Sequence, residues 1–233
     1  MDRYTYKDCG HPKQLTETAE QWRQGECPDC RFDRGMKLAL RAIAVVFFLL
    51  AAGVFLALLV GASVAWASET MESALHRLPV FTEDRDKPVE KAAQLRLIAA
   101  ELAKVRAPKG IPGKEWRALV VAVGFHESAY SLRIHRGECK PQECDRGKAR
   151  GPWQQQQNDY TRPVWDELHG QEHTATQVRE AEAALRRGYF TCAKAGVPWE
   201  VAALNGYAGA RCGATWPGLD KRLATQRLVR DRL

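Results

Sequence analysis

A mainly α-helical chain, with one transmembrane helix and a small Cys/His head, is predicted by three observations. An uncharged apolar run fills 42–67, and apolar residues recur at helical spacing from Val89 almost to the C-terminus. No convincing strand hairpin or internal repeat interrupts that second region. The 233 residues, with 35 basic and 28 acidic side chains, leave room for about one sizeable domain plus extras.

The head, residues 1–34, is too short to build a core unaided. Cys9-Gly-His11 and Cys27-Pro-Asp-Cys30 supply three thiolates and an imidazole, enough for a closed, zinc-ribbon-like tetrahedral site. Cys27 and Cys30 form a normal half-site, whereas Cys9-x-His11 is an unusual partner for it. Structural zinc would then supply nearly all of the folding energy. A free-thiol tail is the alternative. A closed ligand set points to structure or to docking of a cytoplasmic protein, not to catalysis. No basic, aromatic-interleaved surface marks the segment as a nucleic-acid reader, so no nucleic-acid partner is expected.

Residues 35–67 form a basic collar and the span. Twenty-six uncharged residues at about 1.5 Å rise exceed the roughly 30 Å hydrocarbon core. Arg31, Arg34, Lys37 and Arg41 precede the run and Glu69 and Glu72 follow it, so the N-terminus is expected in the cytoplasm. Ala65-Trp66-Ala67 fits a signal-peptidase site, but forty-one preceding residues are too many for a signal n-region. An uncleaved single-pass anchor is the reading. Cys9, Cys27 and Cys30 precede the span, while Cys139, Cys144, Cys192 and Cys212 follow it. An odd, metal-like set inside and an even set outside suit the two redox compartments.

Residues 68–88, charged and carrying Pro79 and Pro88, read as a juxtamembrane linker. The external domain is then 89–233. Its first helix runs from Val89 to Val105, with Ala92, Leu95, Ile98, Ala99 and Leu102 on one side. Pro108-Lys-Gly-Ile-Pro-Gly113 ends it. A second helix carries Trp116, Leu119, Val120 and Val123, and a long irregular stretch follows from Ser131 to about Pro163. Helical patterns resume at Thr174–Ala195, Pro198–Ala208 and Gly218–Asp231.

The second helix is the informative one. Glu127 lies eleven positions beyond Trp116, about three turns, and so projects from the same apolar face. A carboxyl on a buried stripe is costly unless neutral, paired or used, and desolvation would suit it to general-acid work. A frayed helix end with Glu127 turned to water is the alternative.

His126-Glu127-Ser128 at the end of an apolar helix resembles the Glu-Ser motif of the soluble lytic transglycosylase-like, goose-type-lysozyme-like family. Gly151-Pro-Trp-Gln154 resembles that family's Gly-Leu-Met-Gln segment, and Asn205-Gly-Tyr-Ala-Gly209 stands where the family has Ala-Tyr-Asn-Ala-Gly. The likeness covers about residues 90–230. It implies a lysozyme-like fold that cleaves the MurNAc-GlcNAc β-1,4 bond of peptidoglycan, with no catalytic cofactor. The muramic 6-hydroxyl would displace the glycosidic oxygen, leaving a 1,6-anhydro product, and Glu127 would serve as acid and then base. Ser128, Gln154, Tyr207 and Asn205 would contact substrate or orient the acid. Here Leu204-Asn-Gly-Tyr207 is not the family's Tyr-Asn pair, and Gln154-Gln-Gln-Gln157 blurs the register. Trp153 and Tyr130 could stack on sugars or belong to the core.

No second acid is placed by as good a pattern: Glu138, Glu143, Asp145, Asp159 and Asp166 all fall in loops or on surfaces. A hydrolytic goose-type muramidase and a non-catalytic wall-binding module remain alternatives, as does a zinc-headed receptor. Bridges Cys139–Cys144 and Cys192–Cys212 are expected, although four cysteines allow three pairings. After the span the chain carries most of the excess positive charge, which suits an anionic polymer or simply a solvated surface. The expected location is the cell inner membrane with an extracytoplasmic domain, in a bacterium or encoded by a phage.

Overall fold

The computed structural model describes residues 28–80, 82–142 and 144–233. Cys9, His11 and Cys27 of the expected zinc set lie outside the described residues, as does the side chain of Cys30. The described chain falls into two units, one ending at Gly61 and the other spanning Ala62–Leu233. Among these residues the structure is mainly helical.

Helix α1 (Pro28–His76) contributes to both units. From Leu40 to Val60, and at Trp66, its large apolar side chains are exposed by half or more, and no charge interrupts 42–67. This is the one helix among the described residues long and apolar enough to cross a membrane.

Residues 68–88 depart from the expected linker. The helix continues to His76, and Met71, Ala74, Leu75 and Leu78 are buried in the core of the second unit. Their i, i+3, i+4, i+7 spacing is a core stripe, obscured in sequence by Glu69, Glu72, His76 and Arg77 around it.

Helix α2 (Pro88–Lys104) starts at a proline, whose missing N–H costs nothing there, and buries Leu95, Ile98, Ala99 and Leu102. Helix α3 (Gly113–Ser128) is the centre of the unit. The sequence suggests one apolar face, yet every residue from Ala118 to Gly124 is buried, as expected for a helix apolar all round. The short α4 (Leu132–His135) follows. Then β1 (Ala149–Arg150) and β2 (Gln155–Gln156) pair antiparallel, Ala149 opposite Gln156. This hairpin went unseen in the sequence because two-residue strands show no alternation. Helices α5 (Thr174–Cys192), α6 (Trp199–Tyr207) and α7 (Leu219–Arg230) complete the unit, with α5 against α6 and α3 against α7.

Two glycines set the α5–α6 approach. A Cβ on Gly188 would stand 2.6 Å from the Ala203 carbonyl oxygen, and one on Gly206 would stand 2.1 Å from the Gly188 Cα. A buried ion pair sets a second contact. Lys91 Nζ lies 2.8 Å from Asp84 Oδ2 and also donates to the Tyr130 carbonyl. Asp84 in turn accepts the Leu132 N–H at 3.0 Å. His135, fully buried beside this pair, has one ring nitrogen 2.9 Å from the Thr174 hydroxyl. Burial, reinforced by the charges of Lys91 and Arg136, pushes its pKa down to about 3.

Gly188→Ala is expected to destabilise the folded unit by about 2–3 kcal/mol through overpacking, read as a lower thermal midpoint. An unchanged midpoint would show that the helices do not touch there. His135 supplies a second expectation. The unfolded ring takes up a proton near pH 6.5 and the folded one only near 3, so stability holds above 6.5 and falls as pH drops through that window. Urea unfolding between pH 7 and 4.5 should slope by up to about 1.4 kcal/mol per pH unit from this group, and His135→Gln should remove that slope.

Candidate active site

Glu127 is the penultimate residue of α3. The helix stops because Ala129 and Tyr130 both adopt left-handed backbone, at φ +48° and +52°. The Ser128 hydroxyl donates to the Gly124 carbonyl at 3.3 Å and accepts the Tyr130 N–H at 3.1 Å. Ser128 thus caps the helix instead of reaching into a cavity. Tyr130 folds back, its hydroxyl on the Val121 carbonyl at 2.9 Å and its ring edge-on to Trp153. Trp153 donates to the Val120 carbonyl at 2.9 Å. Both aromatics are essentially unexposed, so they are core and not sugar platforms. They fit because residue 124 is glycine: a Cβ there would meet Trp153 Nε1 at 2.7 Å.

The Glu127 side chain is 24% exposed and does not point into apolar packing. It faces a cavity of about 350 Å³, walled by residues that include Gln154, Gln155, Asn158, Arg187 and Tyr207. Arg222 of α7 holds its Oε1 at 2.6 Å. A carboxylate in the last turn sits at the negative end of the helix dipole, and Arg222 offsets that repulsion. Arg222 is itself fixed, donating to the Gly218 carbonyl at 3.3 Å and lying 4.9 Å over the Trp216 ring. Trp216 donates to Asn205 Oδ1 at 2.7 Å. Asn205 is fully buried and absent from the cavity wall, so its place is behind Trp216, not against a ligand.

Tyr207 does reach the cavity. Its hydroxyl donates to the Trp153 carbonyl and takes a 3.2 Å bond from the Gln155 amide. Burial first, then the charge of Glu127, holds the phenol well above its usual pKa, so it stays neutral. The Gln-rich run resolves into distinct roles. Gln154, at φ +48°, lines the cavity with its amide nitrogen 3.1 Å from the Gly151 carbonyl, while Gln155 is the one that meets Tyr207. Glu138, Asp145, Asp159 and Asp166 are absent from the wall; among the described residues Glu127 is its sole carboxylate.

The disulfides pair as expected, Cys139 with Cys144 and Cys192 with Cys212. The second closes the end of α5 onto the segment after α6. Each restricts the unfolded chain by roughly 2–4 kcal/mol.

Sequence reasoning missed Arg222, Gln155, Asn158 and Arg187. For Arg222 a signal existed: Leu219, Arg222, Gln226 and Val229 follow helical spacing, with Leu219, Gln226 and Val229 buried, so the arginine stands on an inward stripe. A slightly larger hollow, about 400 Å³, is walled by Glu101, Arg106, Arg179 and Glu182 among others and holds none of the motif residues. Compared with known proteins, the chain matches no family model, no curated sequence and no solved structure.

His126, beside Glu127, meets the Thr225 hydroxyl at 2.8 Å and the Lys221 carbonyl at 3.0 Å. Burial foremost, then the Arg222 charge, lowers its pKa from 6.5. NMR titration should therefore find His126 below 6.5, and Arg222→Gln should move it up. An unmoved midpoint would place Arg222 elsewhere.

Proposed function

We propose that the Ala62–Leu233 unit is a lysozyme-like domain that cleaves the MurNAc-GlcNAc β-1,4 bond of peptidoglycan without water, as a lytic transglycosylase. The observation that carries this reading is a cavity whose sole carboxylate among the described residues, Glu127, stands among amides, a neutral phenol and the cation Arg187. A glycosidase that activates water or forms a glycosyl-enzyme needs a second acid at a defined separation. A transglycosylase does not, because the substrate brings its own nucleophile.

Protonated Glu127 gives its proton to the departing GlcNAc O4 as the MurNAc C1–O4 bond breaks. The muramic 6-hydroxyl bonds to C1, and its proton returns to Glu127, closing the cycle. Arg222 on Oε1 orients the carboxyl and leaves Oε2 to carry the proton. Tyr207 and Gln155 form a neutral wall beside it, and Gln154 is placed to hydrogen-bond an N-acetyl group.

On this reading α1 anchors the enzyme in the inner membrane of a bacterium, or of a host cell when phage-encoded. The basic collar lies in the cytoplasm and the disulfide-bearing domain outside it, where disulfides persist. The Cys9, His11, Cys27 and Cys30 donor set would close around a structural zinc and present the head to a cytoplasmic protein.

Mass spectrometry of muropeptides released by the full chain in detergent tests the chemistry. Anhydromuramic ends are expected, and Glu127→Gln should reduce them by about 10²–10⁴-fold. Reducing ends would make the domain a hydrolytic muramidase. Binding without release would make it a wall-docking module.

A further inference from the structure

The cavity wall carries two charged side chains among the described residues, Glu127 and Arg187. Arg222 already neutralises the first. Arg187, on α5, has no carboxylate partner among the described residues; its contact is the ring of Tyr160, with the guanidinium carbon 4.2 Å from the centroid. Arg187 is therefore a positive charge on the wall without a carboxylate partner among the described residues. Stacking uses the face of a guanidinium and leaves its in-plane N–H donors free for a planar anion.

Tyr160 is 65% exposed although Arg187 covers one side of its ring. An exposed aromatic is informative when its backbone is held in place, and this one is. Asn158 Oδ1 accepts the N–H groups of Tyr160 and Thr161 at 2.9 and 3.1 Å. The buried Thr161 hydroxyl donates to the Gln156 carbonyl at 2.7 Å, which ties the loop to β2. Asn158 itself lines the cavity. The ring is thus presented from an ordered loop, and little entropy is lost when a ligand settles on it.

We propose that Tyr160 and Arg187 form a subsite for a carboxylate-bearing sugar, the pyranose ring lying on Tyr160 and the carboxylate bound in the plane of the Arg187 guanidinium. This rests on the glycan-cleaving reading and narrows it. The substrate is an anionic strand, and Arg187 selects it over a neutral N-acetylglucosamine polymer. Two sources share this chemistry: the lactyl carboxylate of peptide-stripped muramic acid, and the carboxylates of a stem peptide.

Binding is measured with the full chain in detergent carrying Glu127→Gln, so that no turnover intervenes, and thermal midpoints check folding. The probes are peptide-stripped glycan strands, peptide-bearing strands and N-acetylglucosamine oligomers. Adding Arg187→Gln is expected to weaken binding of a carboxylate-bearing strand about tenfold, the weight of one charge-assisted hydrogen-bonded contact, and to leave the neutral oligomer unchanged. Arg187→Lys should restore part of the loss. Tyr160→Ala should weaken all three probes and Tyr160→Phe none. A loss confined to stripped strands identifies the lactyl group; one confined to peptide-bearing strands identifies the stem. Equal affinity with and without Arg187→Gln, or equal loss on all three probes, overturns the subsite while the glycan reading stands. No binding of any strand before Arg187 is altered overturns both. Charge-selective binding, with no cleavage by the chain that keeps Glu127, overturns only the catalytic reading.

Discussion

The Asp84–Lys91 pair is buried at both ends, and the position of the acid depends on it. Taking an ammonium and a carboxylate out of water costs several kcal/mol per ion, which their attraction repays only when the remaining donors and acceptors are satisfied. Burial lowers the pKa of Lys91, and Asp84 acts against that shift. The remaining valences go to one place, the turn after α3. Lys91 binds the Tyr130 carbonyl, Asp84 binds the Leu132 N–H, and Gln94 lies 3.4 Å from the Ser131 carbonyl. Two successive left-handed residues are unfavourable on their own, and this network holds them. A helix stopped there leaves Glu127 on its last turn, facing space instead of continuing into the core.

From that fixed point the cavity is assembled by close approach. Gly124 lets Trp153 and Tyr130 lie against α3, and this brings the hairpin with Gln154 and Gln155 alongside Glu127. Gly188 and Gly206 let α5 and α6 touch, which sets Arg187 and Tyr207 on one wall. From α7, Thr225 and Arg222 make polar contacts with His126 and Glu127 on the last turn of α3. Electrostatically the acid is compensated by Arg222, the phenol beside it is neutral, and Arg187 supplies the remaining charge. On the proposed reading, this site would move a proton twice through one carboxyl, on an anionic substrate.

The pattern of apolar residues was enough to place α2, α6 and α7 to within a residue at each end, since Pro108 and Pro198 punctuate them. By contrast, α1 runs well past both ends of the apolar run, α5 stops three residues short of the expected end, and the short α4 lies in the stretch read as irregular. The glutamate, the tyrosine and one of the glutamines also stood out, because each sits at a helix end or a tight turn with its own local signature. Ser128 and Asn205 stood out equally and proved to serve the helix cap and Trp216. Local sequence identifies a polar residue at a functional-looking turn; it does not say which way the group is satisfied. Core membership of 68–78 was hidden for a related reason. Four apolar positions among charges look like a linker until a surface is present to receive them.

By itself the sequence determined the periodicity, the membrane-length run, the four cysteines after it and the helix bearing a carboxyl at its end. These are properties of local geometry and of burial demand, and neighbours along the chain suffice to express them. Only the tertiary structure decided what the carboxyl meets. Glu127 and Arg222 stand ninety-five residues apart, as do contacts such as Tyr207 with Trp153 at fifty-four. Partners at such separations are chosen by the packing of α3, α5, α6 and α7 against one another, and that packing is set by glycines and a buried ion pair whose effect acts across space, not along the chain.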